Sequence, residues 1–112
     1  MNASAVPTID VEAAAAATDV VLLDIREHDE WIRGRAAAAV HIPMSQLTSR
    51  VGELDHAAHI VCVCRSGNRA TSVTQWLIQQ GFEAKNMKGG MLAWEAAGYP
   101  IVNQAGNPGL VI

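Results

Sequence analysis

Apolar positions along the chain fall into short continuous runs separated by stretches with helical spacing. Val20-Val21-Leu22-Leu23 is a run of β-branched and leucine residues, as a strand buried on both faces requires. Ile60-Val61-Cys62-Val63 is a second such run and carries the stronger signal. Thr8-Ile9, Ala39-Val40-His41 and Ala84–Met87 are weaker strand candidates. Helical stretches lie between them. Asp10 is placed to cap a helix running through Ala17, and Glu27 to Arg33 reads as a short helix ending at Gly34. Ser45 is expected to cap another near Gln46–Gly52, and Arg69 to Gln80 stops at Gly81. A last helix, Gly90 to Ala97, ends at Gly98 with Pro100 just beyond.

Strands alternating with helices predict an α/β domain with a mostly parallel central sheet of about five strands, flanked by helices on both faces. No internal repeat or long linker divides the 112 residues, so residues 1–102 read as one domain. The tail, 103–112, holds two Gly and one Pro and is expected either to dock or to be mobile. Its closing Leu110-Val111-Ile112 could pack on the core or on a partner.

Composition narrows the function. Eight Lys+Arg against eleven Asp+Glu leave a formal charge of −3, with no excess of cations to displace the counterions of nucleic acid or to hold an anionic membrane. No apolar run approaches the length of a membrane span, and Met1 to Asp10 lacks the basic-then-apolar layout of a secretory leader. A cytoplasmic protein with reduced thiols is the resulting expectation. Cys62 and Cys64 are too few for a disulfide scaffold, and alternating side-chain geometry in a strand sets them against bridging each other.

The informative segment is Cys64-Arg65-Ser66-Gly67-Asn68-Arg69. It follows a buried strand and precedes a helix, which places Cys64 at the sheet edge where open α/β folds bind ligands. A tight strand-to-helix turn can aim successive backbone N–H groups inward as an anion cradle, reinforced by the helix N-terminus. Gly67 permits the backbone such a turn demands, and Arg65 and Arg69 add two fixed charges near the sulfur. All of these favour thiolate over thiol, so Cys64 is expected to be nucleophilic with a lowered pKa. Cys62, mid-strand between two valines, reads instead as a small core residue. Cys62 and Cys64 with His41, His56 or His59 could supply four zinc ligands, but Cys-x-Cys is not the usual structural spacing and no second paired motif accompanies it. No metal site is expected.

Three blocks of the chain resemble the single-domain rhodaneses, the thiosulfate sulfurtransferase family. Leu23-Asp24-Ile25-Arg26-Glu27 with Glu30-Trp31 and Gly34 is similar to the family's D-V-R-E…E-[YFW]…G-H opening. Cys64 to Arg69 is similar to its C-R-x-G-x-R loop. Lys88-Gly89-Gly90-Met91-Leu92-Ala93-Trp94-Glu95-Ala96-Ala97-Gly98-Tyr99-Pro100 follows its G-G-[IM]-x-A-W-x-x-A-G-[YL]-P closing pattern. The resemblance implies a rhodanese-like fold and a sulfurtransferase. Cys64 would take a sulfane sulfur from thiosulfate or a similar anionic donor as a persulfide, cradled by the amides of Arg65, Ser66, Gly67, Asn68 and Arg69. A second nucleophile, cyanide or a cellular thiol that could belong to a protein, would then remove it by double displacement. No cofactor is implied. Arg26 matches an arginine that can contact substrate in related enzymes, the alternative being a salt bridge with Glu30 four residues on. With no second domain over the site, Cys64 is expected to be open to large acceptors.

One segment departs from the family. Where it reads G-H-x-P-G-A, this chain has Gly34-Arg35-Ala36-Ala37-Ala38-Ala39. Alanine tolerates positive φ poorly, so a differently shaped turn is expected, with the Arg35 charge unplaced. Two other functions compete. A sulfur-relay or protein-interaction module on the same fold would use the same loop or none. A cysteine phosphatase or arsenate reductase would need a C-x5-R loop, one residue longer than the C-x4-R found here.

Overall fold

The computed structural model describes residues 6–112. Residues 1–5, half of the stretch read above as lacking a leader's layout, lie outside the described residues.

Five strands, β1 (Thr8–Ile9), β2 (Val20–Asp24), β3 (Val40–His41), β4 (His59–Val63) and β5 (Glu83–Met87), form one sheet in the order β1-β5-β4-β2-β3. Every pairing is parallel. The continuous apolar run of β4 takes the centre, its Cys62 aligned with Leu23 on one side and Asn86 on the other. A strand buried on both faces cannot alternate apolar with polar, which is why these segments read as runs.

Alternation instead distributes the side chains between two cores. Ile60, Cys62 and Cys64 face α4 (Asn68–Gln79), packing with Val73 and the fully buried Leu77. Val61 and Val63 face the other layer, meeting Val11 and Ala14 of α1 (Val11–Ala16) and Met91 and Trp94 of α5 (Gly90–Ala96). Each such leucine or methionine contributes about 2 kcal/mol by leaving water, and the two layers together clamp the sheet that carries the site.

Local signals explain most boundaries. Asp10 Oδ1 accepts from Ala13 N at 2.8 Å and starts α1. A capping box between Glu27 and Glu30 starts α2 (His28–Arg33), which Gly34 ends. Ser45 is a correction. Pro43, with φ of −57°, begins a 3-10 turn over Met44–Gln46, so Ser45 lies inside the turn rather than ahead of a helix. Its hydroxyl donates to Glu27 Oε1 at 3.0 Å, and the segment continues as α3 (Leu47–Arg50) and a second 3-10 turn, Val51–Glu53.

The alanine segment needs no special backbone, since among the described residues only glycines have positive φ. Ala36 is buried in the α1/α5 layer, while Arg35 exchanges backbone hydrogen bonds of 2.9 Å in both directions with Val102. The guanidinium of Arg35 lies over the Trp31 ring, 4.4 Å from its centroid, and donates to Gln104 Oε1 at 2.7 Å. Trp31 also stacks on His41, with ring centroids 4.5 Å apart. Beyond Val102 the chain turns on Asn103, whose side-chain oxygen accepts from the amides of Ala105 and Asn107, both at 3.0 Å. It then returns along α2 and α5, Leu110 N donating to Arg33 O at 3.0 Å and Val111 N to Glu95 Oε2 at 3.1 Å. No helix among the described residues is long and apolar enough to cross a membrane.

Candidate active site

Cys64 follows the last residue of β4, between the carboxyl ends of β2 and β5. The chain turns there because Gly67 adopts φ of 101°, a left-handed conformation that any side chain would strain, immediately before α4. The turn folds the loop back over the sulfur. Gly67 N donates to Cys64 Sγ at 3.0 Å and Ala70 N approaches it at 3.4 Å. The α4 N-terminus thus directs two amides at one sulfur, and their partial positive charge favours a negative charge there.

The same wrapping corrects the expectation of an open thiol. Cys64 is only 1% exposed. Arg65, Ser66 and Asn68 are exposed around it, so the loop itself, rather than a second domain, covers the sulfur.

α5 braces the loop from behind. Met91 N donates to Cys64 O at 2.8 Å and Leu92 N to Arg65 O at 3.0 Å. That approach requires Gly90, because a Cβ there would stand 2.5 Å from both carbonyl oxygens. On the other side Asn86 of β5 donates from Nδ2 to Gly67 O at 3.2 Å.

Three arginines were candidates for contact with an anionic donor, and each has a protein partner. Arg69 forms a two-bond pair with Glu30 of α2, Nη1 to Oε1 and Nη2 to Oε2, both 2.8 Å. The hydrogen bonds to Arg69 hold the Glu30 carboxyl below its usual range, and Glu30 raises Arg69 in return. Arg65 Nε donates to the Ile112 backbone carbonyl at 2.7 Å, which brings the tail to the rim of the loop. Arg26 is fully buried. Its partner is Asp24, at 2.8 Å, rather than Glu30, and Nη2 also donates to Gly34 O at 2.7 Å. Arg26 therefore presents no surface to a substrate, and it orders the edge of the site through β2 and the end of α2. The two sulfur atoms differ as well. Burial pushes the Cys62 thiol up to about 12, whereas Cys64 has two amide donors.

Sequence reasoning missed Glu30 as the partner of Arg69 and missed Asn86 altogether. Asn86 did leave a signal, an amide at an inward position of a strand beside Ala84, where an apolar side chain would be expected. His41 had no assigned place; its Nε2 hydrogen-bonds Arg26 O at 2.7 Å.

This architecture has relatives. The sequence model of the rhodanese-like domain matches residues 9–97. The chain is 38% identical to YtwF of Bacillus subtilis over 89 residues, covering 80% of this chain and 86% of that one. It is 37% identical to a sulfurtransferase of Allochromatium vinosum over 89 residues, 79% of this chain and 83% of the other. Among solved structures, a rhodanese-related protein of Thermoplasma volcanium superimposes with a TM-score of 0.82 at 29% identity, over 86% of this chain and 97% of that one. A parallel five-stranded sheet, a Cys64 loop turned around its own sulfur and relatives of this length and kind agree with one another: the chain belongs to the rhodanese family of sulfurtransferases.

Proposed function

We propose that the protein moves a sulfane sulfur from thiosulfate to a thiol or to cyanide through a persulfide on Cys64, in the cytoplasm. The observation that carries this reading is the pair of amides, Gly67 N and Ala70 N, at 3.0 and 3.4 Å from Sγ. They stabilise negative charge at the sulfur without a general base.

In the first half-reaction the Cys64 thiolate attacks the outer sulfur of thiosulfate. An S–S bond forms to Cys64, and the bond to the oxidised sulfur breaks with its electron pair leaving on sulfite. In the second, cyanide or a thiolate attacks the terminal sulfur and departs with it, as thiocyanate or a new persulfide, returning the Cys64 thiolate. Charge balances in both steps and no electron acceptor is needed. Because Cys64 is 1% exposed, the atom an acceptor meets is the terminal sulfur, one bond length further out. A four-residue spacing between Cys64 and Arg69 suits one bonded sulfur better than a tetrahedral phosphoryl group.

Intact mass after brief incubation with thiosulfate tests the reading. The wild type is expected to gain one sulfur and lose it to cyanide, and Cys64→Ser to gain none. A wild type that stays at its starting mass would overturn thiosulfate as donor.

A further inference from the structure

In a trans peptide the carbonyl of one residue and the N–H of the next point in opposite directions, and no peptide bond among the described residues is cis. Whatever holds a carbonyl outside the loop therefore aims the following N–H inward. Cys64 O and Arg65 O are held outside by the α5 amides at 2.8 and 3.0 Å, which turns the N–H groups of Arg65 and Ser66 toward the cradle. The third such carbonyl belongs to Gly67, and its peptide carries the N–H of Asn68. It accepts from Thr71 N at 3.2 Å, Thr71 Oγ1 at 2.8 Å and Asn86 Nδ2 at 3.2 Å. The N–H groups of Arg65, Ser66, Asn68 and Arg69 have no acceptor among the described residues. Four free donors thus accompany the two already on Sγ.

Of these tethers only Asn86 is a side chain reaching across from another strand. It is 7% exposed, and Nδ2 also donates to Thr71 Oγ1 at 3.0 Å. The Thr71 hydroxyl gives its own proton to Gly67 O, so it can only accept from Asn86, which fixes the orientation of the amide. Asn86 Oδ1 has no hydrogen-bond partner. Burying an unpaired acceptor is unfavourable, and an aliphatic residue in β5 would avoid that cost.

We propose that Asn86 is a positioning residue for the sulfur carried on Cys64: by holding the Gly67 carbonyl outside the loop it aims the Asn68 N–H at that sulfur. The proposal rests on the persulfide reading above. Asn86→Leu keeps the volume and removes the donor, and Thr71→Val removes the second side-chain tether on the same carbonyl. Amide NMR before and after loading with thiosulfate follows the Asn68 N–H, and mass spectrometry follows the loss of the persulfide sulfur to a fixed low concentration of cyanide, which leaves as thiocyanate. In the wild type the Asn68 resonance is expected to move on loading. Asn86→Leu should lose at least half of that movement and give up its sulfur to cyanide about five- to tenfold faster, the effect of one hydrogen bond. Thr71→Val should change both in the same direction by less. A folded Asn86→Leu that keeps both the movement and the lifetime overturns the proposal. If that variant does not fold, an unaltered Thr71→Val does so. Failure of the underlying reading looks different, since the wild type itself would then gain no sulfur, and the proposal would fall with it.

Discussion

Glu30 and Arg69 meet as two parallel 2.8 Å hydrogen bonds that tie α2 to the first turn of α4. Glu30 Oε1 also accepts from Glu27 N at 3.0 Å, so one carboxylate both caps α2 and holds the helix that follows the Cys64 loop. Bidentate geometry makes this pair stronger than an ordinary surface bridge, while the 37% exposure of Arg69 lets solvent screen it.

The pair gives stability a signed pH dependence. Arg69 holds the folded Glu30 below its usual range, so the stabilisation is present above the unfolded value and is lost as pH falls through the folded one. Glu30→Gln is expected to cost about 1 kcal/mol at pH 7. Urea denaturation should show the gap closing as pH drops below about 4. A gap as wide at pH 3 as at pH 7 would show that the loss is packing rather than charge.

Cys62 provides the opposite sign. Burial raises its thiol from 9.0 to about 12, so in this range the folded protein keeps a proton that the unfolded chain releases. That stabilisation is complete below about pH 8.5 and is lost as pH rises toward the folded value. Cys62→Val, without an ionisable group, is expected to match the wild type at pH 7 and exceed it by about 1–2 kcal/mol at pH 10. Its rate of sulfur uptake at pH 8 should be unchanged. A variant that takes up no sulfur would give Cys62 a part in the chemistry.

The strands were legible because β2 and β4 are buried on both faces and must read as apolar runs; α1 was legible through its cap, Asp10, and α2 through its terminating Gly34. The Cys64 loop was legible because a glycine and two arginines follow a cysteine at a strand end. What surrounds the loop was not. Glu30 lies 39 positions from Arg69, and Asn86 and Met91 reach the loop only through the strand order, which periodicity does not encode. The closure of Cys64 depended in the same way on amides, and no side chain announces where an amide points.

Gly90 tests whether α5 braces the loop. Its φ of 61°, with two carbonyl oxygens 2.5 Å from where a Cβ would stand, leaves no room for alanine without moving the loop or the helix. Gly90→Ala is expected to lower stability by about 1–3 kcal/mol. Sulfur uptake should fall by more than tenfold at temperatures where the variant is still folded. Gly98→Ala is the control: it has a similar φ of 81° but nothing within 4 Å of its Cβ, so it should lose stability with uptake intact. Equal uptake by the two variants would remove α5 from the account of the site.

Arg26 and Asp24 are both fully buried and joined at 2.8 Å, with Arg26 Nη1 left without a partner. Removing one member strands the other's charge in the core. Arg26→Met is therefore expected to cost about 3–5 kcal/mol, and adding Asp24→Asn should recover much of the loss. If Arg26 acts only through this pair, the double variant should half-saturate with thiosulfate at the wild-type concentration, because no atom of Arg26 reaches solvent. Uptake assayed against donor concentration separates the two roles. A half-saturating concentration raised tenfold or more in a folded double variant would return Arg26 to substrate contact, and would mean that the loop after β2 opens when thiosulfate binds.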